Sequence, residues 1–231
     1  MHGAGLKGAD LRAERLMPPA VRQAFMARAH LQTVVRKQVL FAEGSRSRDV
    51  FLIVSGRLQF SLVSPQGREV ILNDMGPGEM FGELSAIDGQ PRSTNVTALE
   101  DAQLAHLTGP EFTALLGEVP QAGLWVAQQL ALRVRALTDR AFELATLPVA
   151  SRVQAELLRL AHEAARPGED SLEIRPMPTH ADLAARIGTS REAVSRELGL
   201  LDKEGLLHQS GRQLRIVSIA ALQAAYERLL R

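Results

Sequence analysis

Seven positions restrict the fold of this chain more than any others: Gly123, Ala127, Leu130, Val134, Leu137, Ala141 and Leu144 follow one another at alternating steps of 4 and 3. A mean spacing of about 3.5 residues belongs to a helix that keeps one narrow seam against a partner, whereas a helix lying on its own core shows a broader stripe. The spacing predicts a long helix that pairs with a second copy of itself through residues 120–147. Pro148 cannot continue the hydrogen-bond ladder and disfavours helical geometry at Leu147, so the helix is expected to end near Thr146.

Upstream the period is different. Gly44, Gly56, Gly67, Gly76 with Gly78, and Gly89 lie 9 to 12 residues apart, the cadence of short strands and tight turns. The continuous run Val50 to Val54 suits a buried strand; Leu58, Phe60 and Leu62 alternate with Arg57, Gln59 and Ser61, and Val70, Ile71 and Leu72 form another strand. Region 33–108 therefore reads as a β-sandwich or barrel. Beyond Pro148 the pattern predicts a helix over about 149–165, a short strand near 172–174, two short helices, a basic strand pair and a helix from Ser218. The expected class is α+β, with a β-domain over 1–118, the long helix over 119–147 and a second domain over 148–231.

Composition removes several function classes. A net charge of +1 from 27 basic and 26 acidic residues, with 45% apolar residues, is that of a globular chain rather than a disordered one. The longest apolar run has five residues against the roughly 18 needed for a span, and residues 1–30 lack an apolar signal region, so no membrane partner and a cytoplasmic location are expected. Zero cysteines exclude disulfides, thiolate zinc, cysteine-held iron–sulfur clusters or haem, and a cysteine nucleophile. The six histidines (His2, His30, His106, His162, His180 and His208) form no HxH or HExxH pair, so neither a metal site nor a catalytic set is expected. A jelly-roll enzyme of cupin type, the competing reading, needs clustered histidine and carboxylate ligands that this spacing does not supply.

Within the β region, Phe81-Gly82-Glu83-Leu84-Ser85 is followed by Pro91-Arg92-Ser93-Thr94. A short helix beginning at Gly82 exposes unpaired N–H groups that attract an anion, and Arg92, on the next strand, can fork onto phosphate oxygens with Ser93 beside it. Phosphate repels Glu83, whose place is on a neutral donor such as a ribose hydroxyl. This run resembles the phosphate-binding cassette of cyclic-nucleotide-binding domains. The resemblance implies Gly82, Glu83, Leu84, Arg92 and Ser93 as ligand contacts with Ser85 and Thr94 beside them, and Arg92 as the main charge partner. Thr94 stands where many bacterial members have alanine.

Further on, Thr179-His180-Ala181-Asp182 has a capping-box pattern, Gly188 makes a turn and a second helix starts near Ser190. At 100° per residue, Arg191, Ser195, Glu192 and Arg196 fall on one face and Leu201, Val194 and Leu198 on the opposite one. Neither half of the chain is strongly basic: residues 1–147 hold 15 basic and 15 acidic side chains, and 148–231 hold 12 and 11. Local placement favours DNA instead, with Arg186, Arg191 and Arg196 around the turn and second helix and Arg212 and Arg215 on the strand pair.

This segment resembles the winged helix-turn-helix of the cyclic AMP receptor and FNR family of bacterial transcription regulators, and the likeness runs from about Leu31 to Val217. It implies a jelly-roll ligand domain, a dimer helix, an allosteric effector (cyclic AMP or cyclic GMP) in place of a cofactor, and double-stranded DNA and RNA polymerase as partners. Arg191, Glu192 and Arg196 align with base readers, flanked by Thr179, Ser190 and Ser195, and arginine on guanine with glutamate on cytosine favours a TGTGA-like inverted repeat. Ser195 replaces the glycine of the cyclic AMP receptor and matches FNR-type proteins. On the long helix the resemblance implies Arg133, Leu137 and Thr138 near the purine, Leu137 standing where the receptor has a second threonine. A member answering to another ligand, or to none, is the alternative.

Overall fold

The computed structural model describes residues 16–166, 168–211 and 213–230, and the chain divides into two compact units between Val134 and Arg135. The N-terminal unit begins with α1 (Pro19–Met26), opened by a proline whose fixed φ suits a first helical turn. Eight strands follow: β1 (His30–Val34), β2 (Val39–Phe41), β3 (Val50–Ser55), β4 (Leu58–Val63), β5 (Glu69–Met75), β6 (Met80–Phe81), β7 (Asn95–Ala98) and β8 (Ala102–Leu107). They form two antiparallel four-stranded sheets, ordered β1-β8-β3-β6 and β2-β7-β4-β5. Gly44, Gly56, Gly67, Gly78 and Gly89 all take positive φ, which is why the glycine cadence marks the strand ends.

Helices follow: α2 (Glu83–Asp88) between β6 and β7, α3 (Gly109–Glu118) after β8, and then α4 (Pro120–Thr146), of which residues 120–134 belong to this unit. The uninterrupted run in β3 now has its cause. Phe51 and Ile53 face Leu58, Phe60, Phe81, Val96 and Leu104 in one core, while Val50 and Leu52 face Phe25, Phe112, Leu115, Trp125 and Val126 in another. A strand apolar on both faces cannot alternate. By contrast β5 is half-buried: Ile71 and Met75 point inward, and Val70 and Leu72 lie exposed.

The face of α4 that packs on this core carries Ala122, Trp125, Val126 and Gln129, and it is not the 3.5-spaced seam. Leu130 is partly covered there, but Val134, Leu137 and Leu144 are 62%, 60% and 46% exposed. The sequence pattern thus overlays two faces on one helix, and the seam face leaves Val134 and Leu137 mostly exposed.

In the C-terminal unit the last turns of α4 are followed by α5 (Val149–Ala164), capped by Pro148 as its φ restriction requires. Then come β9 (Leu172–Ile174), α6 (His180–Ile187), α7 (Arg191–Lys203), β10 (Leu207–Ser210), β11 (Gln213–Ile216) and α8 (Ile219–Leu229), with an antiparallel sheet ordered β10-β11-β9. Leu157, Leu158, Ala161, Ile187, Val194, Leu198, Leu214, Ile216 and Leu222 make its core. No described helix is long and apolar enough to cross a membrane.

The cap of α3 makes a pH prediction. Glu111 accepts from both the hydroxyl and the N–H of Thr108 (2.7 and 2.8 Å), and these bonds hold its carboxyl below the usual carboxylate value. A folded value below the unfolded one means the contribution is present above about pH 4.5 and is lost as pH falls through the folded value. Thr108→Val is expected to destabilise the protein at pH 7, and the difference from wild type in urea melts should shrink below pH 4.5. A difference unchanged down to pH 3 would refute it.

Candidate functional site

Two polar constellations stand out, one in each unit. In the N-terminal unit β6 delivers the chain to Gly82, whose φ of 86° is the left-handed region a side chain rarely adopts. A Cβ there would lie 2.7 Å from the Asp49 carbonyl and 2.8 Å from Arg92 Nη1, so only glycine fits. The helix α2 starts at Glu83, with Gly82 as its cap, and its first N–H groups lack intrahelical acceptors. Leu84 is 42% exposed, while Ser85 and Glu83 are buried.

Arg92 and Ser93 lie in the loop before β7 rather than on the strand, which starts at Asn95, and Thr94 is half-buried beside them. The Arg92 side chain is also turned inward, where a free phosphate-binding arginine was expected. Its Nε donates to Ser47 Oγ (3.0 Å), Nη1 to the Gly82 carbonyl (2.9 Å) and Nη2 to the Asp49 carbonyl (2.7 Å), and it stacks 4.1 Å above the Phe41 ring. Burial pulls its pKa below the usual arginine value, against the opposing charges of Asp49 and Glu83. The glycine at 82 lets the guanidinium fork approach the Gly82 and Asp49 carbonyls closely, and both accept from it.

Glu83 meets Arg133 of α4, whose Nη1 donates to Oε1 at 2.6 Å and whose Nη2 donates to the Met80 carbonyl at 2.6 Å. The other carboxylate oxygen, Oε2, is buried without a partner. Leu137 and Thr138 lie on the portion of α4 that belongs to the C-terminal unit, and both are exposed. Among the described residues no three His, Asp or Glu side chains are grouped to hold a metal.

In the C-terminal unit Thr179 caps α6: its hydroxyl accepts from Asp182 N–H (3.0 Å), and Asp182 Oδ2 accepts from Thr179 N–H (2.9 Å). Gly188 closes α6 and Ser190 caps α7. Val194, Leu198 and Leu201 are buried, so Arg191, Glu192, Ser195 and Arg196 emerge together on the exposed side. Hydrogen bonds from its own backbone N–H, then from Ser190, hold the Glu192 carboxyl below its usual value, which keeps it an acceptor. Arg215 is exposed on β11, and Arg212 lies outside the described residues.

Arg186 does not join that surface. It is 8% exposed and faces Glu156 at 3.8 Å, within a cluster of Arg140, Glu143, Glu156 and Arg159. Sequence reasoning missed this cluster, although the i,i+3 pairs Arg140–Glu143 and Glu156–Arg159 are a legible signal for part of it. It also missed His180, whose ring lies between Ser195 and Gln209.

Both units match known families. Residues 31–118 match the cyclic nucleotide-binding domain family and residues 151–225 the Crp-like helix-turn-helix domain family. The chain is 33% identical over 185 residues to the cyclic AMP receptor protein of Thermus thermophilus, covering 80% of this chain and 82% of that one. It is 28% identical over 181 residues to a CRP-like cAMP-activated global transcriptional regulator of Mycobacterium tuberculosis, covering 78% and 81%. Among solved structures, the c-di-GMP responsive regulator CLP of Xanthomonas campestris shares the fold with a TM-score of 0.75 at 24% identity, over 86% of this chain and 99% of that one. A nucleotide-cassette β-domain joined to a Crp-like helix-turn-helix, with a relative this similar over four-fifths of the chain, places the protein in the CRP/FNR family of DNA-binding transcription regulators.

Proposed function

We propose that the protein is a homodimeric regulator whose affinity for DNA is set by a cyclic purine nucleotide, cyclic AMP or cyclic GMP, held in the N-terminal cassette. The observation that carries this reading is the orphaned Oε2 of Glu83, buried beside an oxygen that Arg133 already satisfies. A buried acceptor without a partner costs about 1 to 3 kcal/mol, and a ribose hydroxyl would remove that cost. The phosphate would then lie toward the Gly82 turn, Ser93 and the Arg92 charge, with Leu84, Ser85 and Thr94 lining the cassette and Leu137 and Thr138 addressing the purine. Relatives named as a cyclic AMP receptor protein and as a cAMP-activated regulator support the choice of ligand class.

In this reading residues 1–118 bind the ligand, 119–147 pair the two copies through the exposed Val134, Leu137 and Leu144, and 148–231 bind DNA in the cytoplasm, with RNA polymerase as a further partner. Arg191, Glu192 and Arg196, with Thr179, Ser190, Ser195 and Arg212 around them, address a TGTGA-like inverted repeat. Its half-sites lie one helical turn apart, about 34 Å. The helix α4 runs from one unit into the other and is the covalent route by which ligand state reaches the DNA-binding side.

A second reading has its own observation: Arg92 already serves three protein acceptors and Glu83 already has Arg133, which favours a regulator answering to another ligand or to none. Calorimetric titration with cyclic AMP, cyclic GMP and cyclic di-GMP, with and without operator DNA, separates the two. Cyclic AMP or cyclic GMP is expected to bind and to raise operator affinity by about 5- to 150-fold, and operator should tighten nucleotide by the same factor. If neither nucleotide binds, the second reading stands.

A further inference from the structure

The hydroxyl of Ser195 is surrounded in a way that fixes what it offers to DNA. It lies 2.9 Å from the Arg191 carbonyl one turn back on α7 and 2.7 Å from Nδ1 of His180 on α6, and His180 Nε2 faces Gln209 Oε1 of β10 at 3.1 Å. One imidazole thus ties together the exposed helix, the helix before it and the following strand pair.

A serine hydroxyl has one proton and two lone pairs. The Arg191 carbonyl can only accept, so the arrangement that bonds both contacts sends the Ser195 proton to that carbonyl and has Nδ1–H donate to Oγ. In the reverse arrangement the proton goes to Nδ1, and two oxygens face each other at 2.9 Å with no proton between them. In both of these arrangements the proton points into the protein, and lone pairs are what an outside partner meets. Gln209 satisfies Nε2 in any charge state of the ring, because its amide presents oxygen or, turned over, N–H₂.

We infer that His180 is a specificity-positioning residue: by holding the Ser195 hydroxyl with its proton inward it presents this side chain as an acceptor, whose match in the major groove is an exocyclic amine, N6 of adenine or N4 of cytosine. Guanine O6 and N7 and thymine O4 are acceptors and would meet Ser195 lone pair to lone pair. The inference rests on the assignment of α7 to base reading, and it adds a rule for one base pair that the arginines do not determine.

In vitro selection of binding sites by the full-length protein, compared for wild type, Ser195→Ala, His180→Ala and His180→Asn, tests it. In wild type one position per half-site should show a preference that Ser195→Ala erases, and in wild type the same preference should vanish when the amine is removed from that pair, with purine in place of adenine or 2-pyrimidinone in place of cytosine. His180→Ala should weaken it about 3- to 10-fold, the scale of one hydrogen bond, while guanine preferences dependent on Arg191 and Arg196 persist. His180→Asn, which keeps a donor near the Nδ1 position, should restore most of it, a rescue that a purely structural role for the ring would not give. A Ser195-dependent preference that survives removal of the amine, or an unaltered preference in His180→Ala, overturns the inference while leaving α7 as the reading helix. Loss of all sequence selectivity in wild type would overturn both.

Discussion

Glu156→Gln is expected to destabilise the C-terminal unit by about 3 kcal/mol, the lower end of the range for breaking a buried ion pair. The side chain is 7% exposed and faces Arg159 Nε at 3.0 Å, Arg140 Nη1 at 3.5 Å and Arg186 Nη1 at 3.8 Å. Without the Glu156 charge Arg186 loses this carboxylate, and Arg159 and Arg140 keep Glu143, at 2.9 Å and 3.6 Å. Both ends of the cluster feel the crowding. At Arg159 burial works against the charge, yet Glu156 and Glu143 hold its pKa above the usual value; at Arg140 burial and then repulsion by Arg159 pull it below. Water reaching Arg140 and Arg159 keeps the cost from the upper end of the range. For a domain of 60 to 100 residues each kcal/mol moves Tm by about 4 to 8 °C, so calorimetry should show the C-terminal transition falling by about 12 °C or more. Glu156→Met combined with Arg186→Met should recover part of the loss, because replacing both charges with apolar groups removes the desolvation cost of each. A single Glu156→Gln shift below about 2 °C would show that solvent screens the cluster.

That cluster also explains why some of the molecule was legible in the sequence and some was not. Element type and order were readable because they depend on local periodicity: the glycine spacing of the strands, the proline that ends α4, the capping box at Thr179 and the Gly188 turn all act within a few residues. Arg186 was misplaced because sequence spacing puts it near the turn, and only the approach of α5 decides that it is buried on Glu156. The inward turn of Arg92 likewise depends on Ser47 and Asp49, more than 40 residues away along the chain. His180 was visible only as a helix-opening residue, since its partners Ser195 and Gln209 come from two later elements. Long-range pairing of polar groups has no period, whereas burial of apolar ones does.

Arg92→Ala is expected to reduce cyclic nucleotide affinity by at least about 100-fold and to destabilise the N-terminal unit by about 3 kcal/mol. Three acceptors, Ser47 Oγ and the Gly82 and Asp49 carbonyls, would lose the buried guanidinium that serves them, and the Phe41 ring would lose its cation. The affinity loss has a separate cause. Arg133 already pairs with Glu83, whereas two of the five N–H groups of Arg92 remain beyond the three bonds that anchor it and keep its charge available to a phosphate. Arg92→Lys distinguishes the two effects. A lysine keeps the charge but cannot fork onto two carbonyls, so stability should fall nearly as far as in the alanine variant while affinity falls only about tenfold. Calorimetric titration at 10 °C, with near-ultraviolet circular dichroism to verify that each variant is folded, reads affinity and stability independently. A folded Arg92→Ala protein that binds within about threefold of wild type would mean that the arginine only props up the Gly82 turn and that the phosphate is held by helix and loop N–H groups alone.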